Sequence, residues 1–182
     1  ATDPDADRVG VAIKTPSGSF QLINGNQIGS LLTYYVLSSK KALGQLKPNY
    51  YIVKTIVTSN LFAAIADAHD VKYYETLTGF KYIGEVMTKL LGKENYLVGG
   101  EESYGYLVGD LVRDKDAVNS CAFIAEMCAY FKSQGKSLYD GLIQIYLEYG
   151  FYKEKLISLT KKGKAGADEI KQMMADLRAE LP

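Results

Sequence analysis

The chain of 182 residues lacks several features that would each point to a particular class of protein. It has no net charge, since 21 basic side chains balance 21 acidic ones, whereas general binders of nucleic acid or membrane surfaces carry a basic excess. It has no apolar run long enough to span a bilayer, and no signal peptide opens it. We therefore expect neither a nucleic acid nor a membrane as its partner.

Cysteine and histidine are also scarce. Cys121 and Cys128 fall in one predicted helix, where a rise of about 1.5 Å per residue separates their Cα atoms by about 10 Å, too far for a disulfide. They indicate a reducing compartment, and we expect the cytoplasm. The single histidine, His69, lies near a predicted helix C-terminus, where a cation is mildly favoured. We expect it to be structural or exposed to solvent, and not a catalytic base.

What the chain does contain is a regular alternation of helix and strand patterns. Hydrophobic residues make up 47% of it, which is enough for a core. Two short apolar runs around a turn at residues 15–19 predict a hairpin. Helical patterns occur at residues 28–36, 61–69, 81–91, 116–132 and 138–148, and β-rich patterns at residues 50–57, 71–75 and 96–98. Alternation of this kind predicts an α/β layer structure with a largely parallel sheet.

Four local features are predicted along this pattern. Residues 58–59, Thr-Ser, are candidates for the N-cap of the second helix. The helix at residues 116–132 is apolar on nearly all sides, which is typical of a helix buried on more than one face. Residues 151–159 alternate as a final strand would, and residues 170–177 carry a last amphipathic stripe.

Residues 3–8, Asp-Pro-Asp-Ala-Asp-Arg, form an acidic loop just before the first strand. The carboxylates of Asp3, Asp5 and Asp7 stand at alternate positions and can converge on one point if a cation compensates their repulsion. Hard oxygen ligands suit Mg²⁺ or Ca²⁺. The spacing predicts a metal site, against the alternative of a solvated acidic turn.

Two other acidic motifs compete with this interpretation. An EF-hand is excluded because Arg8 and Lys14 stand where that loop needs glycine and glutamate. The aspartyl nucleophile loop of a dehalogenase-type phosphatase stays open. That class needs an apolar strand leading into the motif, and the chain begins too close to Asp3 to show one.

Arg8 follows the third aspartate directly. Its guanidinium fork matches the oxygens of a phosphate group. A metal loop with an adjacent arginine is typical of phosphoryl transfer.

A second loop, Gly99-Gly-Glu-Glu-Ser-Tyr-Gly105, follows a short predicted strand and is called the glycine-rich loop below. Ligands of α/β sheets bind at the carboxyl ends of strands. In an extended stretch Glu101 and Ser103 would point the same way and offer a carboxylate and a hydroxyl to vicinal sugar hydroxyls. The alternative is a polar turn with a capping glutamate, and both interpretations stay open at this point.

Four segments, in order, resemble the motifs of one family. The acidic loop resembles the magnesium loop of the α-D-phosphohexomutase superfamily, which includes phosphoglucomutases, phosphomannomutases and phosphopentomutases. The other matching segments are Lys54-Thr-Ile-Val-Thr-Ser59, Thr76-Leu-Thr-Gly-Phe-Lys-Tyr-Ile83, and the glycine-rich loop followed by Arg113-Asp-Lys-Asp116. The resemblance covers residues 1–159.

The resemblance implies a mutase that interconverts hexose 1-phosphate and hexose 6-phosphate. In this family a phosphoserine gives its phosphoryl group to a sugar monophosphate, and the bisphosphosugar reorients and returns the other phosphoryl group. The side chains expected to bind Mg²⁺ and phosphate are Asp3, Asp5, Asp7 and Arg8. Near the sugar, Glu101 and Ser103 are expected to hold its hydroxyls. Lys115 is a candidate general acid or base, and Lys81 is expected to contribute to the electrostatics of the site.

The resemblance also implies an architecture, a three-layer fold with a mainly parallel mixed sheet and helices on both faces. Residues 1–24 would be the tail of the second of four family domains, residues 25–159 the third domain, and residues 160–182 a linker and helix leading toward the fourth. The family's Thr-Ala-Ser-His-Asn-Pro phosphoserine motif and its Gly-Thr-Glu-Pro phosphate-binding stretch are absent from the sequence. We therefore expect the missing domains to be partners of this chain, and the chain alone to be inactive.

Two further functions stay open. The glycine-rich loop with Arg113-Asp-Lys-Asp116 resembles the phosphoglucomutase and phosphopentomutase branch more than the bacterial phosphomannomutase branch. A phosphopentomutase is therefore one alternative, because small pocket changes shift specificity between sugars. A non-catalytic module that binds a metal or a sugar is the other.

Overall fold

A computed structural model describes residues 1–180, which fall into two compact units divided after Tyr152. The strands are β1 (Val11–Lys14), β2 (Phe20–Ile23), β3 (Tyr50–Thr55), β4 (Lys72–Thr76), β5 (Asn95–Gly100) and β6 (Tyr106–Val108). The helices are α1 (Gly25–Ala42), α2 (Leu61–Ala68), α3 (Phe80–Leu90), α4 (Ala117–Ser133), α5 (Leu138–Tyr149) and α6 (Gly163–Ala179). The predicted opening hairpin and the alternation of helices and strands are both confirmed.

The main sheet of the first unit has the strand order β4-β3-β5-β6. Strand β3 pairs in parallel with β4 and with β5, and β6 runs antiparallel to β5. The hairpin of β1 and β2 is a separate two-stranded sheet. Because β3, β4 and β5 run the same way, their carboxyl ends meet at one edge of the sheet.

Helices cover both faces of this sheet, as expected. Side chains alternate along β3, so that Tyr51 and Val53 pack on α3 while Ile52 packs on the opposite face. That opposite face carries the larger core, formed with apolar side chains of α1, α2, α4 and α5. The three-layer α/β architecture with a mixed, mainly parallel sheet is therefore confirmed.

Local capping chemistry explains where several helices begin and end. Asn24 caps α1 in a reciprocal capping box with Gln27, and Ser137 caps α5. Asp116 accepts a backbone N–H of α4, as its position before that helix predicted. Gly150 ends α5 with φ of 100°, a conformation that favours glycine.

His69 lies at the C-terminal end of α2 and is buried. Its Nδ1 atom is 2.8 Å from the carbonyl oxygen of Ile65, and its Nε2 atom is 3.1 Å from the hydroxyl of Ser38. Both ring nitrogens are therefore engaged within the fold, in keeping with a structural role.

Two short-range predictions differ from the structure. Strand β6 was not predicted, because its three residues are too few for a periodic pattern and it forms only against β5. The N-cap predicted at residues 58–59 lies just before Asn60, which takes that position without a side-chain cap, although the hydroxyl of Ser59 accepts the backbone N–H of Leu61 at 3.2 Å. The hydroxyl of Thr58 instead contacts Glu102, a residue that is distant in sequence.

Two longer-range predictions also fail. Helix α4 buries one face only, through Ile124, Met127 and Phe131, while Val118 is 68% exposed. A helix that is apolar all round needs cover on every side, and in the described chain α4 is covered on one side, by β6, α1 and α5. Residues 151–159 form no strand, because an alternating pattern still needs the backbone of a neighbouring strand.

The second unit consists of an irregular segment followed by α6, so the helix predicted from the last amphipathic stripe is confirmed. Within it, Lys161 forms an ion pair of 2.8 Å with Glu169. The last two positions of the predicted segment 160–182 lie outside the described residues. None of the described helices is both long and apolar enough to cross a membrane.

Candidate active site

The candidate active site lies at the carboxyl edge of the main sheet, where ligands bind in α/β folds. The glycine-rich loop connects β5 to β6 at this edge, and Gly100 pairs there with Lys54 of β3. The acidic loop adjoins it, since the backbone N–H of Val9 donates to the carbonyl oxygen of Tyr104 at 3.1 Å. The fold thus brings together the two loops that the sequence singled out.

The glycine-rich loop is a tight turn, which is the second of the two conformations that the sequence left open, and not an extended stretch. The N–H of Glu101 donates to the carbonyl of Gly105 at 2.8 Å, and Tyr104 has φ of 73°. The carboxylate of Glu101 is buried and accepts the backbone N–H of Gly79 at 2.7 Å. Ser103 is exposed. Glu101 is therefore held in place before any ligand arrives, whereas Ser103 is open to solvent.

The neighbouring carboxylate, Glu102, faces a different part of the fold. Its Oε2 atom lies 3.1 Å from the hydroxyl of Thr58 and 3.4 Å from the hydroxyl of Thr55. The two threonine hydroxyls are 2.7 Å apart, and both residues are buried. These bonds tie the glycine-rich loop to the turn between β3 and α2.

Lys54 is the most deeply buried charged side chain beside this turn, with no exposed surface. Its ammonium donates to the carbonyl oxygens of Thr55 at 3.3 Å and Thr58 at 3.1 Å. It also forms an ion pair of 2.8 Å with Glu75 at the end of β4. A buried ammonium is costly without such partners, so this cluster joins the ends of β3 and β4.

The acidic loop is closed by the chain's own donors. Asp3 accepts the backbone N–H groups of Asp7 and Arg8 on its Oδ1 atom, each at 2.9 Å. Its Oδ2 atom pairs with Nε of Arg8 at 2.8 Å. The backbone N–H of Arg8, aided by its guanidinium, lowers the pKa of Asp3 to about 2. In return, the hydrogen bond to Asp3 raises the pKa of Arg8.

Lys115 connects the two loops. Its Nζ atom lies 3.2 Å from a carboxylate oxygen of Asp7 and 3.3 Å from one of Asp114. Its stem passes over Gly105, where any Cβ atom would overlap it, and its ammonium lies 5.5 Å from the ring centroid of Phe80. One side chain therefore contacts the acidic loop, the glycine-rich loop and the first turn of α3.

The electrostatics of Lys115 favour its charged form. Partial burial alone would lower its pKa, but the hydrogen bond to Asp7 and the attraction of Asp114 outweigh burial and raise the pKa. Lys115 therefore carries a proton at neutral pH. In this geometry it is equipped to donate a proton and not to accept one.

The acidic loop has the donor chemistry of a site for a hard divalent cation, but not its geometry. Both oxygens of Asp3 are occupied by donors, and Asp7 is paired with Lys115. Across residues 1–180, no three histidine, cysteine, aspartate or glutamate side chains are arranged to hold a metal ion. The residues do not fit a bound cation as they stand, because Arg8 and Lys115 already neutralise them.

Lys81 lies in the first turn of α3 and is exposed. Its ammonium is 4.9 Å from the ring centroid of the adjacent Tyr82. The structure does not bring it into contact with Glu101 or Lys115, so its part in the site stays a prediction.

Sequence reasoning missed a group of polar residues that support the site, namely Lys54, Thr55, Thr58, Glu75 and Glu102. One signal for it was present, since Lys54 interrupts an otherwise apolar β-rich run. A charge in a strand that is buried on both faces needs partners. Two of those partners follow closely in sequence, but the ionic partner Glu75 could not be found because it lies on another strand.

The fold and this edge define a three-layer α/β domain with its candidate site at the carboxyl ends of parallel strands. The family described as phosphoglucomutase/phosphomannomutase, alpha/beta/alpha domain III, matches residues 24–149, and the chain belongs to this family. A phosphoglucomutase of Staphylococcus epidermidis is 38% identical over 181 residues. That match includes 100% of this chain and 32% of the relative, so the chain spans about a third of the length of the relative.

Solved structures show the same fold. A protein of Thermus thermophilus, provisionally assigned as a phosphomannomutase, has a TM-score of 0.66 at 28% identity over 90% of this chain and 35% of its own. An Aspergillus fumigatus N-acetylphosphoglucosamine mutase, solved in complex with GlcNAc-6P and magnesium, has a TM-score of 0.59 at 13% identity over 79% of this chain and 34% of its own. Membership of the family implies a metal cofactor, and it argues against a dehalogenase-type phosphatase.

Proposed function

We propose that the chain is the sugar-binding part of a phosphoglucomutase or phosphomannomutase. The whole protein would interconvert hexose 1-phosphate and hexose 6-phosphate through a phosphoserine and a bisphosphosugar. The observation that carries the proposal is Lys115, which packs on Gly105 of the glycine-rich loop and pairs with Asp7 of the acidic loop. A sugar-binding element and a phosphate-binding element thereby meet at one proton donor.

In this proposal Glu101 and Ser103 bind vicinal hydroxyls of the phosphorylated sugar. Glu101 keeps acceptor capacity beyond its bond to Gly79, and Ser103 can donate or accept. Partners of both kinds suit a substrate that must bind in two orientations. Lys81 would add positive charge at the rim of the site.

Lys115 would act as the general acid when phosphate moves to or from a sugar oxygen. Its place between the two loops supports this role, because its ammonium lies 3.2 Å from Asp7 of the acidic loop while its stem packs on Gly105 of the glycine-rich loop. It could act as a base only after losing a proton that Asp7 and Asp114 stabilise. Arg8 would bind the migrating phosphate, and it must exchange Asp3 for that phosphate to do so.

We propose Mg²⁺ as the metal, with Asp3, Asp5 and Asp7 as its ligands. The hard oxygen donors support this choice. Because Arg8 and Lys115 occupy two of these carboxylates, the cation must displace them. Isothermal titration of the chain with MgCl₂ tests this. We expect weak binding that Asp5→Asn abolishes, and binding that Asp5→Asn leaves unchanged would contradict the assignment.

We also propose the division of the chain into residues 1–24, 25–159 and 160–182 as parts of the second, third and fourth family domains. The other domains of the longer protein would supply the phosphoserine and the second phosphate site. We accordingly expect the chain alone to be inactive and the longer protein to act in the cytoplasm. Detectable mutase turnover by the pure chain would contradict this proposal.

The decisive experiment measures hexose-phosphate interconversion by the longer protein that contains this chain, with Mg²⁺ and a trace of bisphosphosugar. Glu101→Gln should lower kcat/KM by about 10- to 100-fold, since a hydrogen bond to a charged group contributes about 1.5–3 kcal/mol. The matched control is Glu85→Gln, on an exposed turn of α3 where Glu85 pairs with Lys89. Equal kcat/KM values for the two variants would overturn the proposal.

A further inference from the structure

The glycine-rich loop carries a second carboxylate, Glu102, between the two residues proposed to bind the sugar. It is partly buried, and its described partners are hydroxyls of the β3–α2 turn, at 3.1 Å for Thr58 and 3.4 Å for Thr55. Its neighbours in sequence differ, since Glu101 contacts the backbone of Gly79 and Ser103 is exposed. Glu102 therefore faces the protein and not the space left for a ligand.

The direction of the hydrogen bonds follows from counting protons. Each threonine hydroxyl has one proton, and the two hydroxyls are 2.7 Å apart, so one proton lies between them. The other proton is donated to Glu102, and the shorter distance assigns it to Thr58. The chain of bonds then runs from Thr55 to Thr58 and ends on the carboxyl group of Glu102.

Both ends of this chain of bonds are held by the fold. On the threonine side, the buried ammonium of Lys54 binds the carbonyl oxygens of Thr55 and Thr58. On the loop side, the backbone of Glu102 packs so closely against Gly25 of α1 that a Cβ atom at Gly25 would overlap it. The Glu102 carboxylate thus links two rigid elements.

From this geometry we infer that Glu102 is a positioning residue. Its bond to Thr58 sets the conformation of the glycine-rich loop, and through it the placement of Glu101 and Ser103. The inference rests on the proposed function for its consequence, because a displaced loop would weaken sugar binding. Its structural part, the coupling between Glu102 and the loop, can be measured without any sugar.

The first test measures hydrogen exchange of the Glu101 amide, which reports the loop turn through its bond to Gly105. Glu102→Ala and Thr58→Val should each speed this exchange about tenfold, as expected for one hydrogen bond. Glu102→Gln keeps an acceptor oxygen and Thr58→Ser keeps a hydroxyl, so both should stay within about twofold of the unsubstituted chain.

A double-mutant cycle makes the coupling explicit. If the two side chains act through one bond, Glu102→Ala with Thr58→Val should speed exchange no more than either change alone. The matched control is Glu85→Ala, which removes an exposed carboxylate and should leave exchange unchanged. Additive effects in the cycle, or unchanged exchange in Glu102→Ala, would overturn the inference.

A kinetic test in the longer protein links the coupling to the sugar. Glu102→Ala should raise KM for the sugar phosphate about tenfold with kcat nearly unchanged, because the loop contacts bind ground and transition states alike. Glu102→Gln should restore KM. A fall in kcat without a change in KM would overturn the inference. If the unsubstituted longer protein shows no mutase activity, the proposed function fails, while the exchange cycle still decides the role of Glu102.

Discussion

The glycine-rich loop and the acidic loop are both short, carboxylate-bearing segments at one edge of the sheet. They differ in the groups that bind their carboxylates. Glu101 and Glu102 are bound by a backbone N–H and by buried hydroxyls. Asp3 is bound by two backbone N–H groups and by the exposed guanidinium of Arg8, and Asp7 is paired with the ammonium of Lys115. The comparison teaches that a carboxylate can be stabilised by neutral donors alone or with the help of charged side chains.

The difference matters for function because the two kinds of support respond differently to a ligand. Neutral donors that are already in place keep a carboxylate oriented for an incoming sugar at no further cost. A lysine or arginine countercharge can be exchanged for a metal ion or a phosphate. We therefore expect the glycine-rich loop to be preformed, and the acidic loop to reorganise on binding.

The largest effect should come from crowding the preformed loop. Gly25→Ala places a methyl group on the backbone of Glu102, and overpacking of this kind lowers the free energy of unfolding by about 1–3 kcal/mol. Gly10→Ala is the matched control beside the acidic loop, because its Cβ atom would lie 4.0 Å from the nearest atom. Urea denaturation measures the free energy of unfolding of both variants. An equal decrease in the two would show that the glycine-rich loop is no more tightly packed than the acidic loop.

A smaller effect is expected from one buried hydrogen bond behind the same loop. The hydroxyl of Tyr106 donates to the carbonyl oxygen of Gly25 at 2.6 Å, and the side chain is buried. Tyr106→Phe should lower the free energy of unfolding by about 1 kcal/mol. Tyr73→Phe, at a side chain that is 38% exposed, should change it by much less, and an equal change would count against a rigid support.

Removing a positively charged side chain from the acidic loop should lower the free energy of unfolding by a still smaller amount. Arg8→Ala loses an exposed ion pair with Asp3, and exposed pairs contribute little, so we expect only a slight fall in the free energy of unfolding. Because exposed pairs are screened by salt, the difference should shrink in high NaCl. A large decrease in the free energy of unfolding that does not depend on salt would show that the acidic loop is as rigid as the glycine-rich loop.

The smallest effect concerns the titration of Asp3. Its pKa of about 2 lies below the ordinary value of 3.8, so the stabilisation is complete above about pH 4 and is lost as the pH falls toward 2. Carbon-13 NMR of the carboxyl group measures this directly. In Arg8→Ala the pKa should rise but stay below 3.8, because the backbone donors at positions 7 and 8 remain. A return to 3.8 would make the guanidinium the main cause.

The same contrast explains how far the sequence could predict the site. The acidic loop and the glycine-rich loop are contiguous motifs, and their residue types identify them without any fold. The sequence left two conformations open for the glycine-rich loop and could not choose between them, since the turn depends on pairing between β5 and β6. The supporting cluster around Lys54 was missed because its members come from β3, β4 and the loop after β5.

Taken alone, the sequence determined the order of all helices and most strands, most helix ends and the two motif loops, because periodicity and capping are encoded among near neighbours. Only the tertiary structure decided that Glu102 meets Thr58, 44 positions away, and that Lys115 reaches Asp7. Parallel strands bring their carboxyl ends together whatever their separation along the chain. The side-chain contacts made at that edge depend on tertiary packing, and local sequence patterns do not predict them.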